Sequence, residues 1–222
     1  AQGHAMAQYN LGNMYSKGTG VPQSDTLAAE WYRKAAEQGY PPAQYNLGFM
    51  LLNGRGTDRS ETEAFQWYLE SAKSGVAEGQ FNVGLMYKKG NGVKKNVSEA
   101  FKWTLKAAGQ GYKEALYNLG VWYGTGDGVP VNDVEAFKWY LQSAKQGNEN
   151  AKVIVGRRYH SGSGVDKDRV RGNAWLAMGT SELARVSLKL VSQAMTPSEI
   201  DRAQALAELC IDSEYKNCDE PL

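Results

Sequence analysis

The sequence predicts an all-α protein built from repeated helix pairs. Its 222 residues contain one pattern written five times at a period of 36 residues. Glycine-x-glycine turns recur between segments of helical apolar spacing, and residues suited to helix N-caps recur at one fixed position. A fixed period of this length is typical of a solenoid, in which each repeat buries its apolar face against its neighbours.

Three slots set the register of the repeat. The first holds leucine or valine, the second glycine and the third tryptophan. Their members are Leu11, Leu47, Val83, Leu119 and Val155, then Gly12, Gly48, Gly84, Gly120 and Gly156, then Trp31, Trp67, Trp103, Trp139 and Trp175. We expect each tryptophan ring to be mostly buried between helices of its own repeat and the next.

Each repeat is expected to form two antiparallel helices, named here helix A and helix B. In the first repeat, helix A runs from about Ala5 to Lys17 and ends at the turn that contains Gly18 and Gly20, because glycine tolerates the left-handed conformation. The N-cap slot of helix B holds Ser24, Ser60, Asn96, Asn132 and Asp168. In the middle three repeats, Glu63, Glu99 and Glu135 are expected to complete a capping box.

The 36-residue repeat pattern ends after Gly179. Residues 182–195 read as one more helix, and Thr196 followed by Pro197 is a start signal for another, whose apolar stripe ends at Cys210. We therefore predict a repeat array over residues 1–181 and capping helices with a tail over residues 182–222, frayed from 212 onward. The repeats span about 4–39, 40–75, 76–111, 112–147 and 148–181.

This pattern resembles the Sel1-like repeat family over residues 4 to about 180. The family motif stands here in Ala7, Leu11, Gly12, Tyr15, Gly18, Gly20, Val21, Ala28, Trp31, Tyr32, Ala35, Ala36 and Gly39. The family is related to tetratricopeptide repeats. The resemblance implies a right-handed α-α superhelix, or solenoid, of five Sel1-like helix pairs with a C-terminal helical cap. It also implies a non-enzymatic scaffold or adaptor whose helices A line a concave groove.

Composition narrows the range of partners. The net charge is +1, from 25 basic and 24 acidic residues, and no basic stripe indicates nucleic-acid binding. No apolar run approaches the ~18 residues of a membrane span. His4 and His160 are too far apart in the sequence to suggest a metal site, and both are expected at the surface. No cofactor is predicted.

Two alternatives to a scaffold remain. Some cysteine-rich relatives are discussed as penicillin-binding or β-lactamase-like enzymes, and Ser213 and Lys216 here spell Ser-x-x-Lys. The companion Ser-Asp-Asn and Lys-Thr-Gly motifs of those enzymes are missing, which argues against this alternative. The second alternative is a purely structural spacer in an envelope complex, which a featureless groove would favour.

Cys210 and Cys218 are the only cysteines, and their spacing would allow a disulfide that closes a small loop onto the last helix. Pairing implies an oxidising compartment, so a secreted or periplasmic location is slightly favoured over the cytoplasm. Two unpaired thiols are the other interpretation, and they would leave the compartment open.

The partner-facing side of helix A is expected to carry the binding residues, and these residues are called the predicted groove below. They are Tyr9, Asn10, Asn13, Tyr45, Asn46, Phe49, Phe81, Asn82, Tyr117, Asn118 and Arg157. Asparagine is a poor helix-interior residue, so its recurrence in one slot needs a reason. It forms either a structural ladder between neighbouring helices or a set of amides that hold a partner's backbone.

The N-terminal edge is a possible site of self-association. Residues 1–3 match the ends of later repeats, which indicates either the stub of an upstream helix or a short leader. In the first case, the side bearing Met6, Tyr9 and Asn10 would be partly uncovered, and we expect it to make contacts with other molecules.

Overall fold

The computed structural model describes residues 2–216 and Cys218, with side chains from His4 onward. These residues form twelve α-helices and no strand, in two compact units, Ala1–Tyr112 and Lys113–Leu222. The first unit contains α1 (Gln2–Lys17), α2 (Asp25–Glu37), α3 (Pro41–Asn53), α4 (Glu61–Lys73), α5 (Ala77–Lys89) and α6 (Val97–Gly109). The second contains α7 (Lys113–Thr125), α8 (Asp133–Lys145), α9 (Glu149–Ser161), α10 (Arg169–Ala177), α11 (Glu182–Ser192) and α12 (Pro197–Asp212).

Odd-numbered helices up to α9 are the predicted helices A, and even-numbered helices up to α10 are the helices B. Within the first unit, each helix A packs on its own helix B, and α2 and α4 also pack on the helix A that follows. Helix α1 begins at Gln2, earlier than expected. Ala1 lies outside the described residues, so the idea of an upstream helix stub stays a prediction.

The predicted N-caps form at all five helices B. The side-chain oxygen of Ser24, Ser60, Asn96, Asn132 or Asp168 accepts a hydrogen bond from the backbone amide three residues later. The glutamates expected to complete capping boxes have other partners, because a basic side chain lies within reach of each. Glu99 and Glu135 pair with lysines three residues on, and Glu63 pairs with Arg33. The reciprocal capping box forms instead at Thr196 and Glu199, where α12 begins.

The glycine slot of helix A lets helix B approach closely. A Cβ built on Gly12 would lie 2.7 Å from the ring of Tyr32, and one on Gly120 would lie 2.6 Å from the ring of Tyr140. Carbon atoms in contact are normally about 3.5–4.0 Å apart. The glycine of this slot is therefore explained by the helix B side chain that packs over it.

The turn after helix A docks on the preceding repeat. Gly56 has φ +66°, and a Cβ there would lie 2.1 Å from the backbone carbonyl of Asp25, the first residue of α2. Arg55, the residue before it, donates two hydrogen bonds to the Asp25 carboxylate, at 2.8 and 3.1 Å. Gly92 makes the same approach to Glu61, at 2.2 Å. The second glycine of each of these turns therefore sets the contact between consecutive repeats.

The side chains of the tryptophan slot are less buried than those of the slot that follows it. Trp31, Trp67, Trp103 and Trp139 are partly buried, and only Trp175 is fully enclosed, at 1% exposure. The next residue is buried in every repeat, because it is turned by about 100° around the helix axis toward helix A. These residues are Tyr32, Tyr68, Thr104, Tyr140 and Leu176.

Helices α11 and α12 cover the end of the second unit. Helix α11 packs on α9 and α10, with Ala184 against Leu176, and α12 packs on α10. Two described residues of the tail beyond α12 pack against the core. Tyr215 stacks on Trp175 with ring centroids 6.1 Å apart, and Cys218 is 1% exposed. Tyr215 and Cys218 thereby complete the core around Trp175, and fraying of the tail stays a prediction because residue 217 and residues 219–222 lie outside the described residues.

Candidate peptide-binding groove

The aromatic residues of the predicted groove pack on helix B as well as lining a surface. Tyr9 lies 5.8 Å from Tyr32 between ring centroids and 5.2 Å from Tyr40. Tyr45 lies 5.6 Å from Tyr68 in the same way. Tilted pairs at these distances stabilise a core beyond the area they bury. The rings at this slot are partly buried, so each offers only part of its surface to a partner.

A cavity of about 310 Å³ lies in the first unit, between α1, α2, α3 and the turn after α3. Four residues of the predicted groove line it, and these are Tyr9, Asn13, Asn46 and Phe49. Ser16, Lys17, Tyr32, Met50 and Arg55 complete the lining. The structure therefore brings together polar and aromatic side chains from two consecutive helices A. Phe49 is the exposed apolar member, with 40% of its surface accessible.

The Tyr32 hydroxyl is the polar centre of this cavity. It donates a 2.7 Å hydrogen bond to Asn13 Oδ1. Burial raises the pKa of Tyr32, and hydrogen bonds involving Ser16 and Asn46 oppose that rise. The hydroxyl therefore stays protonated at neutral pH and fixes the asparagine at the cavity wall. Sequence reasoning placed Tyr32 only in the core and missed both its hydroxyl and Arg55.

Both interpretations of the asparagine slot, a ladder between helices and a set of partner-binding amides, stay predictions. Asn10 is exposed, Asn46 and Asn82 are partly buried, and Asn82 donates to the carbonyl of Glu78 in its own helix at 2.9 Å. Glutamines two positions earlier form contacts between repeats. Gln80 Nε2 donates to the Ala72 carbonyl at 3.2 Å.

Gln44 repeats that contact with the carbonyl of Ala36 at 3.4 Å. Gln80 Oε1 also accepts a 2.8 Å hydrogen bond from Gln110 Nε2. Gln8 Oε1 likewise accepts a 2.5 Å hydrogen bond from Gln38 Nε2. Gln8, Gln44 and Gln80 are all buried, at 9% exposure or less. The 36-residue recurrence of these glutamines was the signal that could have identified them from the sequence.

Phe81, in the first unit, packs on Tyr112 with ring centroids 5.3 Å apart, and the second unit holds Tyr117, Asn118 and Arg157 of the predicted groove. Tyr117 packs on Tyr140 edge to face, with ring centroids 5.6 Å apart, and Asn118 is partly buried. Burial raises the pKa of Tyr140 to about 12. Arg157 Nη2 donates a 2.8 Å hydrogen bond to Ser187 Oγ on α11, so this arginine is held by the C-terminal helices.

None of the other chemical candidates lines this cavity. Ser213 Oγ donates to the Cys210 carbonyl, and Lys216 pairs with Glu214 at 3.6 Å. His4 is exposed as expected, but His160 is partly buried, and its pKa is lowered by burial. Within residues 2–216 and Cys218, no cluster of metal-ligating side chains is found. Among the same residues, no helix is both long and apolar enough to cross a membrane.

The two cysteines lie in one apolar cluster. Cys210 and Cys218 are each 1% exposed, and both pack in the cluster that contains Trp175 and Leu206. This placement brings them near the same core residues, and their pairing stays a prediction.

Comparison with known proteins identifies the repeat. A model of the Sel1 repeat matches residues 5–40, 41–76, 77–112, 113–148 and 151–181. Among solved structures, a protective antigen from uropathogenic Escherichia coli strains, described as displaying an SLR fold, shares 32% identity at a TM-score of 0.84. The match covers 96% of this chain, which spans only about half of the antigen, 47% of its length.

Two further structures share the fold. A Sel1 repeat protein from Oxalobacter formigenes is 30% identical at a TM-score of 0.79, over 94% of this chain and 89% of that one. A sel1 repeat protein from Klebsiella pneumoniae, at 20% identity and a TM-score of 0.52 over 90% and 93% of the two chains, shows the fold alone. No curated protein matches at a significant level. The predicted helix-pair solenoid and the resemblance to Sel1-like repeats are thereby confirmed.

Proposed function

The chain belongs to the Sel1 repeat family, and we propose that it binds a segment of a partner protein through the predicted groove of its helices A. Proteins of this family are typically scaffolds for protein interactions, and the fold is generally non-catalytic.

The cavity between α1 and α3 is the observation that carries the proposal. It exposes the ring of Phe49 beside two asparagines, Asn13 and Asn46. An apolar anchor with a few placed polar groups is the usual composition of a binding pocket. The ring would take an apolar side chain of the partner, and the amides would hold its backbone.

Phe49 is a better target for mutation than the aromatics that pack on helix B. Tyr45 contacts Tyr68, so truncating it would disturb the core as well as the groove. Phe49 is 40% exposed, and its truncation removes less packing. A double change of Asn46→Ala and Phe49→Ala therefore separates binding from folding more cleanly.

The test uses a photo-crosslinker in the full chain. Benzoylphenylalanine replaces Phe49 in one sample and Val134, an exposed apolar residue of α8, in the control. We expect crosslinking to one partner from position 49 and not from 134. The Asn46→Ala, Phe49→Ala variant should capture that partner at least ten-fold less well, about 1.4 kcal/mol. Equal crosslinking from both positions, or undiminished capture by the folded variant, would place the binding surface elsewhere.

A further inference from the structure

Helix α4 carries a tryptophan without the lysine that covers its equivalents in two neighbouring repeats. Lys34 Nζ lies 4.2 Å from the ring centroid of Trp31, and Lys106 Nζ lies 4.1 Å from that of Trp103. Both lysines follow their tryptophan by three residues, a spacing that places two side chains on one face of a helix. In the first and third repeats, a lysine of the same helix thus makes a cation–π contact with the tryptophan ring.

Trp67 has Glu70 at that position. In the part of the chain that the structure describes, no cation is seated on the Trp67 ring. A surface cavity of about 370 Å³ lies there instead, lined by Glu63, Gln66, Trp67 and Glu70. The ring therefore borders open space between two carboxylates.

Two carboxylates line this cavity, and each pairs with a basic side chain. Glu63 accepts hydrogen bonds from Arg33 at 2.6 Å and from the Trp67 indole Nε1 at 3.3 Å. Its pKa is lowered, chiefly by the Arg33 hydrogen bond, so it is ionised at neutral pH. Glu70 pairs with Lys73 at 2.8 Å, but both side chains are about half exposed, at 51% and 56%. Exposed pairs of this kind are weak, so the Glu70 carboxylate can turn to a second cation.

We propose that Trp67, Glu63 and Glu70 form a binding site for a lysine side chain of a partner protein. Tryptophan is the aromatic residue that attracts cations most strongly, and the two carboxylates add the complementary charge. Lysine is the occupant because the equivalent rings of Trp31 and Trp103 already hold one in the same arrangement. The site lies on a helix B and shares no residue with the predicted groove. Its test is therefore independent of the test of the proposed function.

The test measures a short blocked peptide of glycines around one central lysine against the full chain. The readout is the indole Nε1–H signal of Trp67 in a proton–nitrogen correlation spectrum, assigned with the Trp67→Phe variant. We expect a saturable shift of this signal, with half-saturation on the order of millimolar. The same peptide with its lysine acetylated should bind at least ten-fold more weakly, because acetylation removes the positive charge.

Two matched variants complete the design. Glu70→Lys gives the second repeat the lysine of the first and third repeats. The new side chain should cover the Trp67 ring, so the peptide should bind at least ten-fold more weakly. Gln142→Lys makes the same change three residues after Trp139 and should leave the Trp67 response unchanged. Glu70→Gln keeps the side-chain size and should weaken binding several-fold. Equal binding of the acetylated peptide, or undiminished binding by folded Glu70→Lys or Glu70→Gln, would overturn the proposal.

Discussion

Replacing Gly56 with alanine tests whether the second turn glycine holds consecutive repeats together. The residue has φ +66°, and its added Cβ would lie 2.1 Å from the Asp25 carbonyl. The left-handed conformation costs a residue with a Cβ about 1–2 kcal/mol. The forced shift of the backbone adds a further ~1–3 kcal/mol, as in other overpacked contacts. Gly56→Ala should therefore lower the free energy of unfolding by about 2–5 kcal/mol.

Gly39 provides the matched control. It has φ +80°, and a Cβ there would meet nothing within 4 Å. Gly39→Ala should cost only the conformational part, about 1–2 kcal/mol. Urea denaturation followed by far-ultraviolet circular dichroism gives both values in the same chain. If the two variants agree within about 0.5 kcal/mol, the additivity error expected between independent sites, the contact with Asp25 contributes nothing and the reasoning fails.

Three further predictions follow from the described contacts. Trp175→Ala should cost about 3–5 kcal/mol because the ring is fully enclosed, whereas Trp31→Ala should cost clearly less, and equal losses of melting temperature would contradict the burial of the two rings. Burial raises the pKa of Glu149, but hydrogen bonds from Lys152 and Thr180 lower it by more, so the pKa is lowered on balance. The ionised Glu149 therefore adds to the free energy of unfolding at pH values above its unfolded pKa of about 4.3. This stabilisation is lost as the pH falls through the lower pKa of the folded state. The wild type should therefore lose stability relative to Glu149→Gln on acidification below about pH 5, and parallel pH profiles of urea midpoints would refute this. Finally, Cys210 and Cys218 should resist iodoacetamide in the unfolded, unreduced chain and react after reduction, as read by intact mass, whereas alkylation without reduction would show two thiols.

Local signals in the sequence predicted the helix boundaries well, because caps and turns depend on a few adjacent residues. Ser24 caps α2 through its own hydroxyl, and Gly18 follows α1 with φ +70°. Neither feature needs knowledge of a neighbouring helix. The fold class followed from the repetition of these signals at a fixed period, and it is confirmed.

Contacts between helices were harder to predict. Trp31 and Tyr32 both fit an apolar stripe, and only the position of α1 decides that the tyrosine is buried while the tryptophan keeps an accessible edge. The same limitation hid the Tyr32 hydroxyl at the cavity, because its partner Asn13 lies on another helix. The repeat slots predicted the positions of the groove residues, whereas the grouping of four of them around one cavity depends on tertiary packing.

The buried glutamines couple the unfolding of consecutive repeats in the first unit. Gln80 Nε2 donates to the Ala72 carbonyl in the last turn of α4, and Gln44 Nε2 donates to the Ala36 carbonyl in the last turn of α2. If α4 melts, the amide of Gln80 loses that partner inside the core, at a cost of about 1–3 kcal/mol. Loss of one helix B therefore weakens the helix A that follows it in the chain. Because such a coupling is reciprocal, loss of that helix A weakens the preceding helix B as well, and unfolding in this unit should spread between repeats in both directions.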